Sequence, residues 1–333
     1  MADVASAAGV SRALVSIVMR DAPGASAAMR DHVRVTAEAL GYRANTAAQV
    51  LRRARSRNVG VLFSPRFPFE VEIVEAMYPA ADALGHQVVL GAMTAQRDLD
   101  RAVDELIGHR CEALVLVGLD RPDAWFEQVR GRLALVRVGR VPSPAGVDVV
   151  RSDERRGVQA GLQHLTELGH RRIAFLGGGD MPGAAERAKA YRAGMRRLGV
   201  ADHVCVLAGD YTDECGAAAA RELLANRSEA TAVLAANDWS AVGLIAELAR
   251  HGVRVPQDLS VVGYDDSDLA RRTYVDLTSV GQDPAALAVQ AMEAVRHRLD
   301  HPEAPPIDAV VEPRLEVRSS TASPRRRRSL TSG

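Results

Sequence analysis

The residues of this sequence that could do chemistry first appear close to its start. Arg12, Ala13 and Ser16 follow a Gly9-Val10 pair and fall on or near the polar face of a short predicted helix. An arginine and a serine on an exposed helix can donate hydrogen bonds to phosphate oxygens and base edges. The spacing therefore predicts a helix that contacts DNA, and the alternative is a small helical hairpin that packs on other protein.

Two short helices must position these side chains. Apolar residues at helical spacing predict the buried face of each helix: Val4, Ala5 and Ala8 in the first, and Leu14, Val15 and Val18 in the second. Gly9 ends the first helix, and Ser11 is a suitable N-cap for the second. Two helices joined by a glycine turn predict a helix-turn-helix, whose second helix can enter the major groove.

A third helix and a basic segment follow. Ser26 can cap a helix that runs to about Leu40 and ends at Gly41, with Val33, Ala37 and Leu40 facing inward. Residues 1–57 hold nine arginines against four acidic residues, whereas the formal net charge of the whole chain is zero. A basic first segment on an acidic remainder indicates that this segment meets phosphates.

Composition excludes several classes of protein. The chain has 333 residues, 47% hydrophobic and 25% charged, which predicts an ordinary folded protein of two or three domains. No apolar run reaches the length of about 18 residues that a membrane-spanning helix needs, and no signal peptide is evident, so we expect a cytoplasmic protein. Cys111, Cys205 and Cys215 lack a Cys-x-x-Cys spacing, and we therefore expect neither disulfides nor a metal site nor a cofactor.

From Asn58 onward, apolar runs predicted as strands alternate with amphipathic segments predicted as helices. Strands are predicted from Val59–Phe63 onward, and the alternation restarts near Arg156. Alternation of this kind predicts an α/β fold with parallel sheets and helices on both faces, and its repetition predicts two lobes. A strand at Ala309–Val317 closes the pattern, and a basic tail over residues 321–333 is predicted to be disordered, with a second nucleic-acid contact as the alternative.

At this point the chain resembles the lactose-repressor (LacI/GalR) family of bacterial transcriptional regulators, from about residue 2 to residue 320. The matching segments are Asp3–Ser11, Val15-Ser16, Leu40–Asn45, His164–Ala174, Asn237-Asp238 and Val255–Asp266. The resemblance implies a homodimer with a headpiece (1–44), a hinge helix and basic linker (45–57), and a core (58–320) similar to periplasmic sugar-binding proteins. Lobe 1 would comprise residues 58–150 and 282–309, and lobe 2 residues 151–281 and 310–320, with a small-molecule effector between them.

The resemblance also implies which residues contact operator DNA. Arg12, Ala13 and Ser16 match the family's recognition positions, whereas Ile17 stands where the family usually has arginine. We therefore expect an operator that departs from the family's usual half-site. The full predicted set of DNA contacts is Ser11, Arg12, Ala13, Ser16, Ile17, Arg30, Asn45, Ala48, Leu51 and Arg52. Leu51 matches a leucine that wedges between base steps in the minor groove, and packing in an ordinary linker is the alternative.

The predicted effector site lies at carboxyl ends of strands, where open α/β sheets bind ligands. Arg187 matches an arginine that the family directs at sugar hydroxyls, and Asn237, Asp238 and Asp265 follow predicted strands. Phe67, Phe69 and Tyr211 are predicted to supply apolar or stacking walls from lobe 1. Gly139 stands where the family has an aspartate, which argues against a standard hexose but leaves another sugar or a polyol.

We therefore predict a transcriptional regulator, a repressor controlled by a small molecule, and not an enzyme. Two alternatives have the same core fold. A solute-binding protein would have a signal peptide and no headpiece, and a sugar-modifying α/β enzyme would turn over the ligand that Arg187 and Asp265 bind.

Overall fold

A computed structural model describes residues 1–19, 21–42, 56–94, 96–119, 121–139 and 146–324. These residues form two compact units, one that ends at residue 56 and one that begins at residue 57. The predicted hinge contacts Asn45, Ala48, Leu51 and Arg52 lie outside the described residues, as do the limit between headpiece and hinge and most of the predicted basic tail.

The first unit contains three helices, α1 Ala2–Ala7, α2 Arg12–Met19 and α3 Ala27–Ala39. Their shared core consists of Val4, Ala5, Ala8, Val15, Val18, Val33 and Ala37. Ser11 Oγ accepts a hydrogen bond from the Leu14 amide at 3.1 Å, and Gly9 turns the chain with φ of +63°. The inward position predicted for Leu40 is wrong, because α3 ends at Ala39 and Tyr42 packs on the core instead, which leaves Leu40 50% exposed.

The second unit begins with a six-stranded parallel sheet, which defines lobe 1. Its strands are β1 Asn58–Phe63, β2 Gln87–Ala92, β3 Ala113–Val117, β4 Ala134–Val138, β5 Asp148–Ser152 and β11 Asp308–Val311, in the order β2-β1-β3-β4-β5-β11. Helices α4 (Pro68–Ala83) and α11 (Pro284–Asp300) cover one face, and α5 (Leu99–Gly108) and α6 (Asp123–Arg130) cover the other.

A second six-stranded sheet defines lobe 2. Its strands are β6 Ile173–Leu176, β7 Cys205–Leu207, β8 Ala232–Ala235, β9 Ser260–Asp265, β10 Ser279–Gly281 and β12 Arg314–Glu316, in the order β7-β6-β8-β9-β10-β12, with only β12 antiparallel to its neighbour. Helices α9 (Asp213–Ala225) and α10 (Asp238–Arg250) cover one face, and α7 (Glu154–Glu167) and α8 (Ala184–Arg197) cover the other.

The predicted α/β class with two similar lobes is confirmed, and the chain crosses between the lobes three times. The crossings follow β5, β10 and β11. The single strand predicted at Ala309–Val317 is wrong, because Glu312-Pro313 separates β11 from β12 and the two strands belong to different sheets. No helix in the described part of the chain is long and apolar enough to cross a bilayer.

Candidate functional site

The first turn of α2 presents its predicted DNA-contacting side chains to solvent. Ser11, Arg12 and Ala13 are exposed, whereas Ser16 and Ile17 are half-buried. The Ile17 side chain faces the turn between α2 and α3, since a Cβ on Gly24 would lie 3.7 Å from Ile17 Cδ1. A helix start of this kind offers free backbone amides and side-chain donors to the same ligand.

Arg30 makes its hydrogen bonds inside the headpiece. Its guanidinium donates to the carbonyls of Ala22 and Ala25, at 2.5 and 3.3 Å, and pairs with Asp21 at 3.1 Å. These three contacts hold the turn between α2 and α3, and so position α2. The predicted contact between Arg30 and DNA stays a prediction.

In the core, a cleft lies between the two lobes at the carboxyl ends of both sheets. It encloses a cavity of about 70 Å³, with side chains of both lobes in its wall. Phe67, Phe69 and Gly139 come from lobe 1, and Tyr211 and Asp265 come from lobe 2. Tyr211 was predicted on the lobe 1 wall, but it follows β7 of lobe 2, and its φ of +70° and its hydroxyl bond to the Pro182 carbonyl (2.8 Å) fix the ring there.

Arg187 lines the cleft and is only 3% exposed. Its Nε donates to Glu154 Oε2 at 2.7 Å, Nη2 to Glu154 Oε1 at 3.2 Å, and Nη1 to the Ala236 carbonyl at 2.5 Å. The guanidinium also lies 3.8 Å from the centre of the Tyr264 ring. Burial lowers the pKa of Arg187, but the acidic groups around it, Glu154 first and then Tyr211, Tyr264 and Asp265, together outweigh burial, and the net pKa shift is upward.

Glu154 was not among the predicted site residues. It is the first residue of α7, directly after the N-cap Asp153, and an acidic residue in a first helical turn is commonly explained by the helix dipole. Its carboxylate packs closely against Gly183. A Cβ at that position would lie 2.6 Å from Glu154 Oε1, so the glycine leaves the space that the carboxylate occupies. Sequence spacing gave no signal for this contact, since 33 residues separate Glu154 from Arg187.

Asp265 ends β9 with an unusual φ of +107° and lines the cleft. Its Oδ1 accepts a hydrogen bond from Gln282 Nε2 at 2.6 Å and lies 3.7 Å from Arg187 Nη1. Burial raises the pKa of Asp265 well above its usual range, although the Arg187 charge opposes that shift. Gln282 is a second lining residue that sequence reasoning missed.

The neighbouring pair Asn237 and Asp238 divides between the cleft and the core. Asn237 lines the cleft and caps α10, since its Oδ1 accepts from the Ser240 amide at 3.0 Å. Asp238 is 1% exposed and does not line the cleft. Its carboxylate accepts hydrogen bonds from the amide and hydroxyl of Ser267 (2.7 and 2.8 Å) and from the Ser279 hydroxyl (2.5 Å). Burial raises the pKa of Asp238 to about 7.

A polar strap connects the lobes beside the cleft. Glu72 of α4, in lobe 1, accepts hydrogen bonds from the Asp268 amide at 2.7 Å and from Arg271 Nη2 at 3.1 Å, both in lobe 2. Arg271 also bonds the Asp266 carbonyl, next to Asp265. Cleft closure and the position of the 265–272 loop are therefore linked through one lobe 1 side chain.

Comparison with known proteins agrees with both parts of this description. Residues 1–45 match the family model "Bacterial regulatory proteins, lacI family", and residues 162–321 match "Periplasmic binding protein-like domain". The regulator CelR of Thermobifida fusca is 33% identical over 329 residues, which cover 95% of this chain and 96% of CelR.

Among the solved structures that resemble this chain over nearly its whole length are a sugar complex and a DNA complex. A CelR–cellobiose complex is 30% identical, with a TM-score of 0.72 over 96% of this chain and 98% of that chain. A lac repressor dimer bound to operator and the anti-inducer ONPF is 27% identical, with a TM-score of 0.80 over the same shares. The headpiece, the two-lobed core and the full-length likeness to CelR together show that this chain belongs to the lacI family of bacterial DNA-binding transcriptional regulators.

Proposed function

We propose that this regulator is a repressor that acts in the cytoplasm and binds a roughly palindromic operator as a homodimer. The exposed first turn of α2 carries the proposal, because it presents Ser11, Arg12 and Ala13 to solvent on a helix-turn-helix. The lac repressor neighbour, a dimer on operator DNA, supports the same arrangement. In this proposal Asn45, Ala48, Leu51 and Arg52 contact the minor groove.

The cleft of the core binds a small effector, for which a sugar or polyol is the proposed class. Aromatic walls from Phe67, Phe69 and Tyr211 beside buried polar groups suit a ligand with apolar faces and many hydroxyls. The CelR–cellobiose complex supports this class. Asn237 lies in the wall, but its amide already donates to the Tyr211 carbonyl at 3.0 Å, so it holds the Tyr211 loop as well as facing the ligand.

Effector control follows from the size of the closed cleft. A cavity of about 70 Å³ is far smaller than the roughly 300–1,000 Å³ of ordinary ligand sites. A sugar can therefore enter only when the lobes separate, and it shifts the balance between lobe arrangements by its difference in affinity for them. Whichever arrangement the effector favours also sets the spacing of the two headpieces in the dimer.

A binding role fits the cleft better than catalysis. Each of the three carboxylates in the described wall, Glu70, Glu154 and Asp265, already accepts a hydrogen bond from protein, and that wall includes no serine, cysteine or histidine to act as a nucleophile. Arg187 and Glu154 neutralise each other through two hydrogen bonds, and this arrangement holds the site together. We therefore propose that the protein binds its effector without turning it over, and mass spectrometry of sugars after incubation tests this.

Fluorescence anisotropy of the full chain on DNA from upstream of its own gene tests the main proposal. We expect binding that is selective against unrelated DNA, weakens with salt, and changes with one sugar or polyol. Arg12→Ala should weaken binding to the upstream DNA, whereas Arg196→Ala, which removes an exposed arginine from α8, should leave that binding intact. Equal affinity for the upstream and unrelated DNA at every salt concentration would contradict the proposal.

A further inference from the structure

The turn that follows α2 contains an acidic residue that local rules disfavour there. Asp21 has a φ of +52°, in the left-handed region, and its side chain is 76% exposed. The Ala22 amide donates to the Ile17 carbonyl at 3.1 Å, and the residue before it donates to the Val18 carbonyl at the same distance. Asp21 therefore occupies the helix-ending position that glycine or asparagine usually fills. An aspartate at this position is strained, and the helix C-terminus repels its charge.

The side-chain contacts of Asp21 are made with α3. Its Oδ1 accepts from Arg30 Nη1 at 3.1 Å and from Arg34 Nη2 at 3.0 Å. These two arginines are four residues apart on one face of the helix, where like charges repel each other, and the aspartate bridges them as their counter-charge. Arg30 also donates to the carbonyls of Ala22 and Ala25. Asp21 thus orients a guanidinium that binds the turn at three points.

We propose that Asp21 is a positioning residue for operator recognition. Through Arg30 it fixes the turn against α3, and the same turn packs beside Ile17 of α2, since a Cβ on Gly24 would lie 3.7 Å from Ile17 Cδ1. The position of α2 determines which bases its first turn, with Arg12, can reach. Asp21 therefore favours binding to the operator although its charge repels DNA phosphates.

Electrostatic attraction alone predicts the opposite effect of Asp21. Removal of an exposed carboxylate from a basic segment strengthens the attraction to the phosphates of any DNA, and it also releases two arginines that can contact them. Positioning instead predicts that selective binding weakens while binding to unrelated DNA does not. The two explanations therefore differ in the sign of the change in operator affinity.

The test is fluorescence anisotropy of the full chain on two duplexes of equal length. One is the sequence that the wild type selects from a random DNA pool, and the other is a scrambled duplex of the same composition. Asp21→Asn removes the charge and keeps a residue that tolerates the left-handed turn. We expect the ratio of selected to scrambled affinity to fall about fivefold, with the scrambled duplex bound as tightly as before or more tightly.

Two further variants control for charge and for folding. Asp31→Asn removes an exposed acid of α3, and it should change both affinities alike and preserve the ratio. Asp21→Gly relieves the backbone strain, so amide hydrogen exchange of residues 12–19 should remain as slow as in the wild type while the ratio still falls. A residue that merely stabilised the headpiece would not lower the ratio while α2 stays protected.

Three results with the variants would overturn the inference: an affinity for the selected duplex that rises together with that for the scrambled one, a ratio equal to that of the wild type in both Asp21 variants, or an equal fall of the ratio in Asp31→Asn. The inference requires selective DNA binding but neither effector control nor repression, so these results would leave the proposed function standing. A wild type that selects no sequence would reject both.

Discussion

The headpiece presents its polar recognition residues to solvent, with Ser11, Arg12 and Ala13 exposed on the first turn of α2. In the cleft of the core, Glu154 and Arg187 are buried and bonded to each other. Substitution of an exposed headpiece side chain should therefore lower the affinity for DNA without lowering the free energy of unfolding. In the cleft, the groups that face the ligand also hold the lobes' loops and helices, so that stability and ligand affinity change together.

The largest expected effect is that of Arg187→Ala, which leaves Glu154 buried without its cation. Loss of one partner of a buried ion pair destabilises a protein by roughly 3–5 kcal/mol, and urea unfolding of the full chain measures it. As a control, Arg187→Met combined with Glu154→Leu removes both charges and should recover most of the lost stability. An unfolding free energy equal to that of the wild type for Arg187→Ala alone would break the comparison.

The pH dependence of stability that Asp238 causes tests the prediction for buried groups of the core. Its pKa is raised from 3.8 to about 7, so the folded state favours the protonated acid. Its contribution to stability is present below the unfolded pKa and is lost as pH rises towards about 7. The free energy of unfolding of the wild type, relative to that of Asp238→Asn, should therefore fall between these values. Chemical denaturation at a series of pH values measures the difference, and a constant or rising difference would contradict it.

Arg12→Ala tests the exposed side. We expect loss of about 1–3 kcal/mol of operator affinity if Arg12 contacts a base, or a salt slope smaller by about one if it contacts a phosphate. The free energy of unfolding should stay within about 0.5 kcal/mol of the wild type, as is usual for exposed side chains. Anisotropy and urea unfolding give both numbers, and a large loss of stability would show that Arg12 has a structural role.

Ile17→Arg tests whether position 17 of the headpiece determines which DNA sequence is preferred. An arginine at this position could make the bidentate guanine contact that Ile17 cannot, which would change base discrimination by about 1–3 kcal/mol. Binding selection from a random DNA pool, with the wild type in parallel, should therefore yield a different half-site. Identical preferred sequences would contradict the expected role of this position. Because Ile17 is half-buried beside Gly24, the free energy of unfolding of Ile17→Arg is measured together with its DNA preference.

The smallest expected effect is at the strap between the lobes. Glu72→Gln keeps an acceptor for the Asp268 amide but removes the charge that pairs with Arg271. A partly exposed ion pair contributes up to about 1 kcal/mol, so effector affinity should change by no more than about fivefold. Calorimetry measures it, and Glu75→Gln, on the same helix with an exposed side chain, is the control. A loss of affinity far beyond this would mean that the strap belongs to the buried network.

Local patterns were sufficient to predict the elements that position both regions. Ser11 and Ser26 cap α2 and α3 as predicted, because a serine directly before an amphipathic run can accept a hydrogen bond from a backbone amide in the first turn of the helix. Strands β5 and β10 were not predicted, because their sequences, Asp-Val-Val-Arg-Ser and Ser-Val-Gly, contain no apolar run longer than two residues. The pairing of Glu154 with Arg187, and the position of Asp238 behind the cleft rather than in it, depend on tertiary packing that no local spacing encodes.

The three crossings have a consequence for how the protein is made. Lobe 1 obtains its last strand, β11, and one of the helices that cover its sheet, α11, from residues that follow nearly all of lobe 2. While the ribosome synthesises lobe 2, the first sheet therefore has an open edge at β5 and a face that is covered by α4 alone. Lobe 1 cannot complete its fold before lobe 2 has been translated, and the two lobes cannot be expressed as independent halves by a single cut of the gene.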